Sequence, residues 1–516
     1  MSGALQYVPA LVASGKLSAS RIQASFRRMM LQRLRLGMFD PPAGKGSNSY
    51  NELTFEMLES VSHTALSRTA AQNAICMYHN RNSALPLNMA ADFSAPGSLL
   101  VAGWGAADGD NLFGNYIQHT DRAGVNASIL AGFAGALHVA LPPLEPPDDA
   151  GDGAKAAAAS PLVYEIACSN NGCPKKDLLK RARAVRLAKA AKATVLVLGL
   201  VHNHRNNDDA GASNQPGTEN EGHDRSTIAF PGEQLDLAEK LSRKNTGTAL
   251  ICVLVHGGSL APMTLMDSCD AVLDAWYPGD QGGKAVADVV FGKVSPAGRT
   301  PQTWYTSDAD MSKPGNMALA PGLGTDKSSP GQTYRYYNKK PAIPFGFGMS
   351  YTNFTYANLK LNASGATLSR AELCRSGGRA SIGATVEVTN TGRVASDEVI
   401  QLYAQKSRAQ LREGGGEPAV RLLDFARVRI APGETRSVAL AFGTKELALT
   451  STSAAAGAPA AGERVDLYHP TLTVAAGEVA LFAGGGQPQF YAGGAKVTVR
   501  IPAEVRLNRS YQCKKD

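Results

Sequence analysis

The sequence predicts a two-part fold: an α/β domain on a mostly parallel, covered sheet, followed by an all-β sandwich. Three observations carry this. Unbroken apolar runs at 98–103, 194–200, 249–255 and 271–276 have the length and composition of strands buried on both faces. Between them, residues 178–192, 231–243 and 281–291 repeat apolar positions at helical spacing, and strands alternating with helices argue for a parallel sheet. After Tyr351 the texture changes. Segments 381–390, 398–404, 436–441 and 496–501 are short, β-branched and alternating, separated by Asn-Thr-Gly, Ala-Pro-Gly and glycine-rich turns, the pattern of a β-sandwich.

The first strong element in chain order is an amphipathic helix over 18–37. Ser18 or Ser20 caps it, Ile22, Phe26, Met30 and Leu34 recur at intervals of four, and Gly37 ends it before Asp40-Pro41-Pro42. Its apolar face needs a partner that the short stretch before it does not supply. A second helical pattern begins near residue 55 and leads through Ala70, Ala71, Ala74 and Ile75 to a turn at 80–83 and Leu85-Pro86-Leu87. Residues 141–160, with Pro142-Pro143, Pro146-Pro147 and Ala156 to Ala159, read as a low-complexity surface insertion. Residues 451–462 form an Ala/Gly/Pro-rich loop inside the sandwich.

Composition narrows the function classes. A chain of 516 residues with 44% apolar content supports two or three domains. The net charge of +8 is modest, and the basic residues are scattered except in the first 40. There Lys16, Arg21, Arg27, Arg28, Arg33 and Arg35 face only Asp40, a solvated helix face rather than a nucleic-acid patch. No run is long enough to span a membrane, and the first residues carry no apolar signal segment. Neither nucleic acid nor membrane is expected as a partner. Seven cysteines are too few for a disulfide scaffold, but Cys168 and Cys173 bracket a turn-like Ser-Asn-Asn-Gly and suit a local disulfide in an oxidising compartment. Sequons at Asn126, Asn353, Asn362 and Asn508 matter if the protein is secreted.

The chain is organised around residues 194–234. A buried strand leads into a long polar loop ending in Glu219-Asn220-Glu221-Gly222-His223-Asp224-Arg225, and Pro231-Gly232-Glu233-Gln234 opens the next helix. In an open α/β sheet, ligands bind beyond the carboxyl ends of the strands. Glycoside hydrolysis needs one carboxylic acid to protonate the leaving oxygen and a second carboxylate to attack the anomeric carbon. Glu219 and Glu221, two apart on an extended loop, point to opposite sides, so one reaches a cleft while the other is held elsewhere. Asp224 and Arg225 pair or brace the loop, with a bidentate carboxylate on a buried arginine as the anchor. Taken alone, these seven residues read as a charged solvent loop. Two other motifs carry less. Gly103-Trp104-Gly105 with Gly109 hints at a dinucleotide loop, but the last glycine is misplaced and a tight strand-to-loop turn fits better. His202, Asn203, His204, Asp208 and Asp209 hold metal-ligand types, yet loop residues of this kind are mostly solvated, and no metal is expected.

The order of motifs along the whole chain overturns the solvent-loop reading. Arg35-Leu36-Gly37-Met38-Phe39-Asp40, Leu85-Pro86-Leu87, Gly114-Asn115-Tyr116 and Cys168…Cys173 are followed by the Glu219–Arg225 motif and Pro231-Gly232-Glu233-Gln234. Tyr277-Pro278-Gly279-Asp280-Gln281-Gly282-Gly283, Pro296-Ala297-Gly298-Arg299-Thr300-Pro301, Tyr334-Arg335-Tyr336-Tyr337 and residues 344–352 complete the series. In this order the chain resembles glycoside hydrolase family 3, in the branch of β-xylosidases and α-L-arabinofuranosidases, which is related to the β-glucosidases.

The resemblance implies a (β/α)8 barrel, an α/β sandwich domain and a fibronectin type III-like domain. Here it implies that 1–45 are the last helix and exit of a barrel otherwise missing, 46–350 the α/β domain and 351–516 the fibronectin-like domain. The family's nucleophile is an aspartate on a barrel strand. No stretch of this sequence matches its motif, and Ser307-Asp308 stands in the wrong place. The acid/base is Glu221 or Glu219, with Glu221 favoured because Glu-Gly-x-Asp-Arg recurs in the wider family. Tyr78-His79-Asn80 departs from the family's usual Leu-Lys-Asn. The implied activity is retaining, exo-acting hydrolysis of oligosaccharides or aryl and alkyl glycosides, without a cofactor, outside the cell or in its wall. This chain alone is expected to be weak or inactive; the alternative is a non-catalytic module that binds glycans or another chain.

Overall fold

A computed structural model describes residues 6–41, 50, 53–114, 125–144, 160–201, 219, 225–362, 367–374, 382–405, 418–451, 471–507 and 513. The chain divides into two compact units after Leu66. In the first, α1 (Val8–Ala13) precedes α2 (Ala19–Arg35), where the Ser18 side chain accepts from the Arg21 amide at 3.3 Å and so provides the N-cap. The apolar residues Phe26 and Leu34 of α2 are exposed.

The second unit begins in α3 (Val61–Ala74) and contains a six-stranded sheet. Its strands are β1 (Cys76–Asn80), β2 (Leu99–Ala102), β3 (Leu162–Glu165), β4 (Ala193–Gly199), β5 (Ala249–Val255) and β6 (Ala271–Asp274), in the order β1-β6-β5-β4-β2-β3. All neighbours are parallel except β1, which runs antiparallel to β6 at the edge. Side chains alternate between two cores. Val195, Val197, Ile251, Val253 and Leu273 face α4 (Ile129–Leu137) and α8 (Gly282–Val290). Leu196, Leu198, Cys252, Leu254 and Val272 face α5 (Leu178–Ala190), α6 (Gln234–Leu241) and α7 (Met263–Ser268). Helices on both faces explain why the central strands read as unbroken apolar runs. Arg68 of α3 makes a two-pronged contact with the buried Asp288 of α8, both bonds at 2.7 Å.

Two strands of this sheet escaped the sequence reading. β1 follows α3 with only Ile75 between them, so the helical pattern runs straight into it. β3 is four residues long and emerges from the low-complexity stretch, of which 145–159 lie outside the described residues. The run at 271–276 is shorter as a strand than as a pattern, because Trp276 adopts a φ of 58° and turns the chain away.

The β-sandwich follows: a four-stranded sheet β10-β9-β14-β15, a three-stranded sheet β11-β8-β7 and a small sheet β12-β13-β16, all antiparallel. Here β7 is Phe354–Leu361, β8 Ile382–Asn390, β9 Ser396–Gln405, β10 Val420–Ile430, β11 Thr435–Phe442 and β12 Leu449–Ser451. The last four are β13 Thr471–Val474, β14 Gly477–Gly484, β15 Ala495–Ile501 and β16 Val505–Leu507. Alternate residues such as Ile382, Ala384, Val386 and Val388 fill its core.

Three disulfides join Cys168 to Cys173, Cys252 to Cys269 and Cys374 to Cys513, and Cys76 is the free thiol. The cysteine reading singled out one local pair. The other two span 17 and 139 residues, separations at which spacing says nothing about partners.

Candidate active site

The site is built where β4, β5 and β6 end. After β4, Leu200 is tied to β5 through its amide, which donates to Val255 at 2.9 Å. The next described residue after Val201 is Glu219, whose amide donates to the Val201 carbonyl at 2.9 Å. Gln234, at the start of α6, holds the base of the crevice. Its amide group donates to Gly199 and Asn171 and accepts from the Gly199 amide, at 2.7 to 3.0 Å. Asn171 belongs to the Cys168–Cys173 disulfide turn, so that turn, the end of β4 and the head of α6 form one hydrogen-bonded block.

Glu219 sits in a cradle of three donors. The Gly257 amide donates to Oε1 at 2.6 Å and the Gly258 amide to Oε2 at 2.7 Å. The Tyr277 hydroxyl also donates to Oε1. Burial, and after it the Glu219 carboxylate, push the Tyr277 phenol far above its usual range, so it stays a donor at any ordinary pH. Both glycines are required by close approach: a Cβ on either would run into the Glu219 carboxylate, and on Gly257 into the Tyr277 ring as well. These amides follow β5 and Tyr277 follows β6, so three strand ends converge on one carboxylate.

Arg225 braces the loop, but not in the way expected. Its guanidinium donates to the carbonyls of Ser259 and Ala229, each at 2.8 Å, in place of a bidentate carboxylate. Burial lowers its pKa from the usual arginine value, opposed by the nearby Glu219 and Asp308 charges. Asp308, outside the nucleophile's expected place, binds the same segment, accepting from the Thr227 hydroxyl at 2.6 Å and the Ile228 amide at 2.8 Å. Glu221 and Asp224 lie outside the described residues, as do His202, Asn203, His204, Asp208 and Asp209. Gly103 ends β2 with a φ of 106°, where a Cβ would strike the Val197 carbonyl; its role is close packing of β2 on β4. Asn126, Asn353 and Asn362 are exposed, and Asn508 is outside the described residues.

Sequence reasoning placed Glu219 and Arg225 in the loop but missed Gly257, Gly258 and Tyr277. A signal was present. His256-Gly257-Gly258 and Tyr277-Pro278-Gly279 stand at the carboxyl ends of two apolar runs, where the rule applied to 194–234 holds equally.

Comparison with known proteins agrees with this architecture. Residues 75–351, more than half of the chain, match the glycosyl hydrolase family 3 C-terminal domain, and residues 398–464 match the fibronectin type III-like domain. The chain is 28% identical over 449 residues to a periplasmic beta-glucosidase of Salmonella typhimurium, covering 84% of this chain and 52% of that protein. To a beta-xylosidase of Formosa agariphila it is 29% identical over 444 residues, covering 83% and 50%. A probable exo-1,4-beta-xylosidase of Neosartorya fischeri is 37% identical over 243 residues, covering 45% and 30%. Among solved structures, a family 3 exo-beta-xylosidase in complex with a xylobiose aziridine probe has a TM-score of 0.71 at 21% identity, covering 98% of this chain and 56% of its own. This chain spans about half the length of the longer matches among these relatives. With the family model covering the sheet, its helices and the Glu219 cradle, the chain belongs to glycosyl hydrolase family 3.

Proposed function

We propose that this chain supplies the proton-transfer half of a retaining, exo-acting glycosidase site for β-xylosides or α-L-arabinosides, the nucleophilic aspartate coming from a (β/α)8 barrel domain. On this reading residues 1–45 are the last helix and exit of that barrel. The observation that carries the proposal is the cradle that holds Glu219 at the sheet's carboxyl edge, with Arg225 braced six residues on and Glu221 between them in the sequence. Family membership supports hydrolysis of O-glycosyl bonds, and the relatives named for xylosides support the pentose preference.

The same geometry supports a division of labour between the two glutamates. Three donors converge on Glu219 and occupy both its oxygens, an arrangement suited to a carboxylate that accepts, not to an acid that must donate to a leaving group. Glu219 is therefore the anchor and Glu221, two residues on, the acid/base. Glu221 protonates the glycosidic oxygen as the aspartate attacks the anomeric carbon, and then takes a proton from the water that releases the sugar. The two carboxyl groups of such a site stand roughly 5–5.5 Å apart. Three disulfides support an oxidising compartment, and so an extracellular location.

The test is hydrolysis of an aryl β-xyloside and an aryl α-L-arabinofuranoside, with an aryl β-glucoside as the comparison. The 516-residue chain alone is expected to show negligible turnover. In a protein joining it to a family 3 barrel, Glu221→Gln should lower kcat by about 10²–10⁴-fold on poor leaving groups, and Glu219→Gln by less. Turnover by the 516-residue chain that disappears on Glu221→Gln would sink the two-domain reading.

A further inference from the structure

His256 lies directly beneath the Glu219 cradle, at the end of β5, and is fully buried. Its Nδ1 is 2.8 Å from the Gly258 carbonyl oxygen, and its Nε2 is 3.1 Å from Asp274 Oδ1. A carbonyl has no proton to give, so Nδ1 carries one. Asp274 also accepts from the Tyr78 hydroxyl on Oδ2 at 2.7 Å and from the Trp276 amide on Oδ1 at 3.0 Å, so both of its oxygens are engaged as acceptors. Nε2 thus faces an accepting oxygen as Nδ1 does, and the form of the ring that matches both neighbours is the one protonated on both nitrogens, an imidazolium. Its contact with Asp274 is an ion pair rather than a well-aligned hydrogen bond. The Trp276 and Trp304 rings pack against it, with centroids 5.2 and 5.3 Å away.

We propose that His256 is a positively charged positioning residue: as an imidazolium it grips the Gly258 carbonyl and holds the 256–258 turn so that two amides converge on Glu219. The cradle loosens when the ring loses its proton. The functional meaning rests on reading 219–225 as the proton-transfer loop; the physical claim does not.

The electrostatics agree in sign. Burial alone would push the ring below its ordinary value. The Asp274 carboxylate, with the Gly258 carbonyl and Glu219, outweighs burial and raises it. The other titratable groups around this cluster are Asp274 on β6, Cys76 and Tyr78 on β1, and Glu219 with Tyr277 and Arg225 beside it. Burial, reinforced by Asp274, pushes the Cys76 thiol up to about 12 and the Tyr78 phenol well above its usual range. Both are therefore neutral around neutral pH.

The experiment uses the 516-residue chain with ¹⁵N-labelled histidine. At pH 7.5 both ring nitrogens of His256 should resonate in the protonated range, and the ring should titrate above the exposed histidines. Asp274→Asn should shift that titration downward. In parallel, hydrogen exchange of the peptide spanning 255–259, corrected for intrinsic rate, should lose at least tenfold protection as pH rises through the His256 titration. His256→Asn should show the low protection at every pH. If that variant fails to fold, the two wild-type titrations decide by themselves. A ring that is neutral at pH 7.5, or protection that ignores the titration, overturns the proposal. Neither readout uses hydrolysis, so their failure leaves the glycosidase reading standing, and an inactive enzyme leaves them intact.

Discussion

Gly258 stands where a single methyl group would meet a carboxylate. In Gly258→Ala the new Cβ would collide with Glu219 and touch Leu200, so either the 256–258 turn or Glu219 must move. Overpacking of this kind costs roughly 1–3 kcal/mol, measurable as a lower denaturation midpoint. Tyr277→Phe is the gentler probe, removing one donor for about 1 kcal/mol. The pH dependence belongs to this scale as well. A histidine raised in the folded state contributes stability that is complete below its ordinary value near 6.5 and is lost as pH climbs through the raised one. The unfolding midpoint of the wild type should therefore fall as pH rises from about 6.5 through the raised value, and His256→Asn should flatten that slope. What could be read of the site in advance was the carboxylate loop, because Glu219 and Arg225 are six residues apart. The donors could not be paired with it, because Gly257, Gly258 and Tyr277 lie 38, 39 and 58 residues downstream and meet it only through the sheet.

At the scale of elements, the parallel strands were legible because each is buried on both faces and reads as an apolar block. The edge strand was not. β1 pairs antiparallel with β6, ends in His79 and Asn80, and lacks the continuous apolar signature. Element packing also places the Cys252–Cys269 disulfide, which ties the middle of β5 to the end of α7, with both cysteines fully buried. The double variant Cys252→Ala/Cys269→Ala opens a 17-residue loop and should cost about 3 kcal/mol of stability, read by chemical denaturation with and without reductant. Unchanged stability would place the support in the surrounding core alone.

For the second unit as a whole, the decisive contact lies between the α/β part and the sandwich. The Arg299 and Glu398 side chains are only 8% and 2% exposed and pair at 2.7 Å, while the Tyr356 hydroxyl holds the other Glu398 oxygen at 2.5 Å. Ser396 reaches back to Ser295 at 2.9 Å, and Gln401 to the Gly346 carbonyl at 2.9 Å. Removing one partner of a buried pair strands the other charge, at a cost of about 3–5 kcal/mol. Glu398→Gln should therefore lower the melting temperature, and calorimetry should resolve a separate transition for the sandwich. A single transition at the wild-type temperature would refute the coupling. The two-part architecture was visible as a change of texture after Tyr351. The joint was not, because Arg299 and Glu398 are 99 residues apart and neither stands out as a residue destined for burial.

The bond that closes the loop, from the Glu219 amide to the Val201 carbonyl, gives the molecule a place to vary. Among the described residues, the bonds that hold Glu219 come from Val201 at the neck of the loop and from the turns that follow β5 and β6, so a change of length between 201 and 219 leaves those partners in place in the sequence. Loop closure depends on length only logarithmically, about 0.6 kcal/mol for each doubling. Shortening or lengthening this stretch is thus a direct test of whether those anchors alone keep Glu219 in its cradle, read as protection of the Gly257 and Gly258 amides from hydrogen exchange.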